Sequence, residues 1–177
     1  MKVKDIKNRV TLLNVAASLF MQIASVISAL IVPRLILETF GSSTNGLVSS
    51  ISQFLNYITL VEGGITGVIS ANLYKPLVDG DNKKLSSVLT TARSFYRKIG
   101  VLFIGYSVVL GVVYPFLVDT DYEYWYVFAL TLTLSIGLML QYMFSLTFTT
   151  LLNADKKVYI VAFTGTVLTI ANIILTL

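Results

Sequence analysis

Glu62 is the residue whose chemistry stands out in this chain. It is the one acid in a long apolar stretch, with no charge in 39–61 before it or in 63–74 after it, and Gly63-Gly64 follow directly. A carboxylate among apolar side chains must pair, take up a proton, or bind a cation or a substrate group. The plainer reading is a helix break or interface site in the inner half of its span. Arg34 is the second such residue, a single cation at the far end of the preceding apolar run. A short crossing loop would put Arg34 near the start of the next span. Glu62 lies about 15 residues deeper, roughly 22 Å at the helical rise, so the two are not expected to pair. The chain has no Cys and no His, which removes disulfides, thiolate metal sites, Ser-His triads and imidazole ligands. Asp119, Asp121 and Glu123 are close in sequence. They could hold a divalent ion weakly, but a cation-poor loop explains them more simply. We expect no catalytic residue, no metal site and no enzyme.

The elements that must position Glu62 and Arg34 are read from composition. Charged residues make up 12% of the 177 residues, against about 25% in a soluble protein. Hydrophobic residues make up 55%, and mean hydropathy is +0.80. No Asp, Glu, Lys or Arg occurs in 10–33, 39–61, 99–118, 124–154 or 158–177. Crossing about 30 Å of hydrocarbon takes roughly 20 helical residues. The expectation is an all-α, polytopic membrane helix bundle forming one membrane domain over 1–177. Its five spans run at about 10–37, 47–73, 99–118, 125–152 and 158–177. The N-terminal apolar run is too long for a signal peptide, and no small-residue cleavage site follows it.

Cations set the orientation. Lys2, Lys4, Lys7 and Arg9 lie in the N-terminal tail. Lys75, Lys83, Lys84, Arg93, Arg97 and Lys98 lie in and beside the second loop, and Lys156 and Lys157 in the fourth. Arg34 stands on the other side with Glu38, Asp119, Asp121 and Glu123. The N-terminus is therefore expected to be cytoplasmic. Tyr122, Tyr124, Trp125 and Tyr126 fit an aromatic belt at the opposite face, and a sugar-binding platform there has no further support. In the second loop, Asp79-Gly80-Asp81 signals a turn and Asp81 can cap a helix. Leu85, Val88, Leu89, Ala92, Phe95, Tyr96 and Ile99 then follow a helical spacing. This predicts an amphipathic helix over 82–98 that lies on the inner leaflet or runs straight into the third span. Attraction to anionic lipid explains its charge. The sharper alternative is a role in headgroup or substrate entry.

Polar side chains recur along the spans. Asn14, Ser18, Gln22, Ser25 and Ala29 share one face of the first. Ser52, Asn56, Thr59, Gly63, Thr66 and Ser70 share one face of the second, and Gly165, Thr169, Asn172 and Thr176 one face of the fifth. Two readings stand side by side. Small and hydroxyl residues let helices pack closely, and Gly63, Gly67 and Ala71 form such a motif. Alternatively the faces line a hydrated cavity, to which the carboxamides of Asn14, Gln22, Asn56 and Asn172 point.

Three stretches carry a resemblance: Ile31-Val32-Pro33-Arg34-Leu35-Ile36-Leu37-Glu38-Thr39-Phe40-Gly41 with Thr44-Asn45-Gly46, Leu60-Val61-Glu62-Gly63-Gly64-Ile65-Thr66-Gly67, and Gly80-Asp81-Asn82-Lys83-Lys84 with the helix after it. The chain resembles the N-terminal part of the polysaccharide (O-antigen and capsule) flippases of the MOP superfamily, which also holds the lipid II flippases and the MATE drug exporters. The resemblance spans nearly the whole chain by pattern and spacing, without a specific catalytic signature. It implies a partial MATE-like fold and a multi-pass transporter of the bacterial cytoplasmic (inner) membrane. Such a transporter moves undecaprenyl-diphosphate-linked oligosaccharide between leaflets by alternating access, for polysaccharide biosynthesis. By resemblance, Arg34 is a candidate for the anionic part of the substrate or for an outer gate. Glu62 is a candidate for gating or for coupling to an ion, proton or sodium. No other cofactor and no nucleic acid is implied. One cation outside the inner loops is few for so acidic a substrate.

Family members have a dozen or more spans in two related halves. The expectation is therefore an N-terminal segment of a larger transporter, which would need the remaining half or an oligomer partner. Two other functions compete. A proton- or cation-coupled exporter of drugs or small solutes in the same superfamily would suit Glu62. A small membrane scaffold subunit would use the Gly63 face.

Overall fold

The computed structural model describes residues 2–118 and 122–176, with side chains from Arg9 onward. Asp119 and Asp121 of the expected outer loop, Leu177, and the side chains of Lys2, Lys4 and Lys7 lie outside the described residues. The fold is all-α, and the described residues hold no strand. In chain order the helices are α1 (Lys2–Asn56), α2 (Ile58–Asp79), α3 (Asn82–Leu117), α4 (Tyr124–Leu140), a π-helical turn (Gln141–Ser145), α5 (Leu146–Ala154) and α6 (Val158–Thr176).

Among the described residues, four helical stretches are long and apolar enough to cross a membrane: Arg9–Asp79, Asn82–Leu117, Tyr124–Ala154 and Val158–Thr176. The chain is a helical membrane protein. The difference from the expected five arises in the first stretch, where the sequence suggests a loop between 37 and 47. That segment is helical, broken at Gly41, whose φ of 84° and ψ of 174° suit glycine alone. The first and second apolar runs are thus helical segments that meet at a kink at Gly41, with no loop between them, and α1 gives way to α2 at Tyr57.

The chain forms two compact units. One comprises Met1–Asn45 with Leu151–Leu177, the other Gly46–Thr150. In the first, α6 meets α1 at Gly165, where an added Cβ would stand 2.9 Å from Met21 Cε. The α5 terminus is closed by a Schellman arrangement. Lys156 takes the left-handed conformation at φ 60°, its N–H bonds to the Asn153 carbonyl, and the Lys157 N–H bonds to that of Leu152.

The second unit holds the larger core. Leu47, Ile51 and Leu55 of α1 and Ile58 of α2 meet Ala92, Tyr96, Ile99, Phe103, Leu110 and Tyr114 of α3. Their steps of three and four place each set on one helical face. Val127, Tyr142 and Leu146 complete the core. The α2–α3 turn is two residues long. Gly80 sits in the left-handed region at φ 66° and its N–H caps Pro76. Asp81 then accepts from the Lys84 N–H at 3.0 Å, the cap expected from the sequence. This bond, and then that to the Lys84 ammonium, holds the Asp81 carboxyl below the usual carboxylate range. The helix expected over 82–98 and the third apolar run are one unbroken helix, α3.

Two outcomes follow. Gly80→Ala puts a Cβ into a left-handed turn and should lower stability by about 1 kcal/mol, read as a lower unfolding midpoint in detergent. Tyr114 is buried and its hydroxyl has no partner among the described residues. An orphaned buried hydroxyl costs about 1–3 kcal/mol, so Tyr114→Phe should raise that midpoint or leave it in place, and a fall would show that the hydroxyl is used.

Candidate functional site

The α2–α3 pairing decides where Glu62 lies. Tyr106 donates to the Phe54 carbonyl at 2.7 Å, and Thr66 Oγ1 meets Tyr96 Oη at 2.9 Å. With the tight turn at Gly80-Asp81, this antiparallel register brings Glu62 level with Ile99 and Gly100. Lys98 is the last charge before the uncharged stretch of α3. Glu62 therefore stands at the end of that stretch and not deep within it. The sequence misleads here because 63–74 of α2 carries no charge, which makes the second apolar run appear to continue.

Glu62 is half-buried, and its partners are hydroxyls. Tyr142 Oη donates to Oε2 at 3.4 Å and Thr66 Oγ1 to Oε1 at 3.3 Å. Both contacts are long for O–H···O, so the carboxylate is held loosely. Among the described residues no Lys or Arg forms an ion pair with it. The hydroxyls continue inward: Tyr96 Oη lies 2.9 Å from Thr66 Oγ1 and 3.0 Å from Thr150 Oγ1, and Thr150 also reaches the Leu146 carbonyl at 2.8 Å. Tyr96, Tyr142 and Thr150 are almost wholly buried. The result is a connected chain across α2, α3 and α5 that starts at a carboxylate and ends at a backbone carbonyl.

The π turn supplies Tyr142. Buried positions 127, 131 and 135 advance by four, and each such step over-rotates by about 40° against the helical repeat. One wider turn corrects the drift: the Leu146 N–H bonds five residues back to the Gln141 carbonyl. It has room because α3 carries Gly100 there. A Cβ at Gly100 would lie 3.4 Å from Tyr142 Cβ and 3.3 Å from Met143 Cγ.

Of the other sequence candidates, Arg34, Asn14 and Gln22 belong to the first unit and Asn56 to the second. Arg34 is exposed and pairs with Glu38 one turn on, at 2.8 Å. Asn14 is half-buried and serves its own unit. Its Nδ2 donates to the Lys156 carbonyl at 2.7 Å and its Oδ1 accepts from the Tyr159 N–H at 2.9 Å. It thus clamps the left-handed residue after α5 and caps the first turn of α6. A cleft of about 380 Å³ beside it holds Asp155, which pairs with Lys157 at 2.6 Å. Gln22 is exposed. Asn56 is exposed and turns back onto the Ser52 carbonyl at 2.8 Å. Gly63, Gly67 and Ala71 are also exposed, and a Cβ on either glycine would meet nothing within 4 Å. The close glycine contacts are instead at Gly100, Gly111 and Gly165. At Gly111 an added Cβ would stand 3.0 Å from the Phe128 ring. In the expected aromatic belt, Tyr122 stacks on Tyr126 at 5.1 Å, and Trp125 is 71% exposed.

Sequence reasoning missed Tyr142 as a partner of Glu62, and Tyr96 and Thr150 behind Thr66. Tyr96 reads as one more member of an apolar face. Gln141-Tyr142, polar tips in the middle of the uncharged run 124–154, was the available signal. Comparison of the chain with protein-family models, curated proteins and solved structures gives no match.

Asn14→Ala should leave the Lys156 carbonyl and the Tyr159 N–H without that partner. The expected loss is about 1–2 kcal/mol, seen as a lower unfolding midpoint, with faster amide exchange at Tyr159 and no change at Lys84.

Proposed function

We propose that the chain is a transport segment of a membrane exporter, with Glu62 as its titratable centre. The observation that carries this reading is a half-buried carboxylate joined to a chain of hydroxyls and, among the described residues, to no cation. An ionisable group in an apolar helix pair is a functional site by default. Ionised, Glu62 accepts from Thr66 and Tyr142, and the inner hydroxyls point toward it. Protonated, it donates to Thr66, and the same oxygens can turn the other way, toward Tyr96, Thr150 and the Leu146 carbonyl. Uptake of one proton would then reorient contacts between α2, α3 and α5, the kind of bistable element that alternating access needs.

For the cargo we propose a lipid-linked oligosaccharide, carried between leaflets of a bacterial cytoplasmic membrane with the N-terminus on the cytoplasmic side. This rests on the resemblance of 31–46, 60–67 and the segment after Gly80 to the polysaccharide flippases. Exposed Arg34 would meet the diphosphate from the opposite side. A second reading, a scaffold subunit, draws on the uncovered Gly63, Gly67 and Ala71 face.

The test is reconstitution of the protein in proteoliposomes with a fluorescent undecaprenyl-diphosphate oligosaccharide under an imposed pH gradient. Translocation should fall about tenfold in Glu62→Gln, with loss of its pH dependence, and several-fold in Arg34→Ala. Tyr142→Phe should keep transport but shift its pH profile. Absence of translocation by the wild type overturns the cargo, and an unchanged pH profile in Glu62→Gln overturns the role of Glu62.

A further inference from the structure

Past Glu62, α2 and α3 continue as a hairpin over 63–79 and 82–98, roughly 25 Å at the helical rise. The two helices leave an open groove along it of about 440 Å³. Ile65, Val68, Ile69, Val88, Ala92 and Phe95 line it, and Val68 is 64% and Phe95 41% exposed. The polar groups on its walls are turned onto their own helices. Asn72 Nδ2 donates to the Val68 carbonyl at 2.8 Å, and Thr91 Oγ1 to that of Ser87 at 3.0 Å. Gly64 adds no side chain, and a Cβ there would meet nothing within 4 Å. The groove thus presents hydrocarbon.

From Gly64 to Asn72 it runs roughly 12 Å, a length that an extended alkyl chain can follow. Charge marks one end and selects the occupant. Lys75 follows Asn72 by three residues and Lys84 precedes Ser87 by three, so both continue the groove line toward the turn, and both are exposed. Lys84 shares its charge with Asp81 at 3.2 Å, while Lys75 has no ion-pair partner among the described residues. Arg93 and Arg97 fall on the far side of α3 by helical rotation. An apolar slot closed by cations complements a molecule with an alkyl tail and an anionic head.

We propose that the groove binds an acyl chain of an anionic phospholipid, with its phosphate at Lys75 and Lys84. This does not depend on the transport reading. The test uses the full chain reconstituted into vesicles of equal phosphatidylglycerol and phosphatidylcholine, extracted gently and weighed intact by native mass spectrometry. The wild type should retain one phosphatidylglycerol. Lys75→Gln with Lys84→Gln should cut its excess over phosphatidylcholine about tenfold. Val88→Trp, which fills the slot, should cut retention of both lipids at least fivefold, and Arg93→Gln with Arg97→Gln should change it less than twofold. Equal retention of the two lipids by the wild type overturns the proposal. So does wild-type retention in the two-lysine variant, whose exposed substitutions spare the fold. A wild-type dimer that Val88→Trp dissolves would assign the groove to a second copy and would also overturn it.

Discussion

A carboxylate on an otherwise apolar helix has to find polar partners, and Glu62 finds them in Thr66 of its own helix and in Tyr142 of the π turn. Satisfying it without a cation requires hydroxyls at set positions: Thr66 on its own helix, Tyr142 across from it, and Tyr96 with Thr150 behind. Each requirement propagates. Tyr142 reaches Glu62 because the helix widens by one residue at Gln141–Ser145, and that turn fits because Gly100 presents no side chain to it. Tyr96 reaches Thr66 because Gly80 and Asp81 close a two-residue turn that fixes the register of α2 on α3.

The same register divides the α2–α3 pair into two parts. On one side of Glu62, uncharged α3 packs its buried aromatic and aliphatic face, including Phe103 and Tyr114, against Leu47, Ile51, Leu55 and Ile58. On the other side, the hairpin opens into a groove that exposes Val68 and Phe95 and ends toward Lys75 and Lys84. Glu62 marks the border. A proton there and a lipid in the groove would act on one helix pair, a few turns apart.

Much of the fold was legible because it follows from charge and period. Charge-free runs located the apolar helices, and Asp79-Gly80-Asp81 placed the turn and its cap. The break between the first two runs falls where it was expected, between 37 and 47, but it is a kink at Gly41 instead of a loop. The candidate site was legible only in part. A lone acid in an apolar run identifies itself, but Tyr142 lies 80 residues from Glu62 in sequence, and Tyr96 lies 30 from Thr66. A tyrosine at core spacing looks the same whether its hydroxyl is idle, as in Tyr114, or bonded, as in Tyr96. Asn14 shows the opposite failure. Its carboxamide reads as a cavity candidate, and beside the cleft that it lines it also bonds the backbone at Lys156 and Tyr159, a role its spacing does not reveal.

The central claim is that Glu62 exchanges a proton through its hydroxyl partners. Infrared difference spectroscopy of the protein in lipid, titrated across pH, tests it most directly. The account predicts a protonated-carboxyl band that appears reversibly, disappears in Glu62→Gln, and shifts in frequency in Tyr142→Phe. A band absent at every pH, or one that persists in Glu62→Gln, would contradict it.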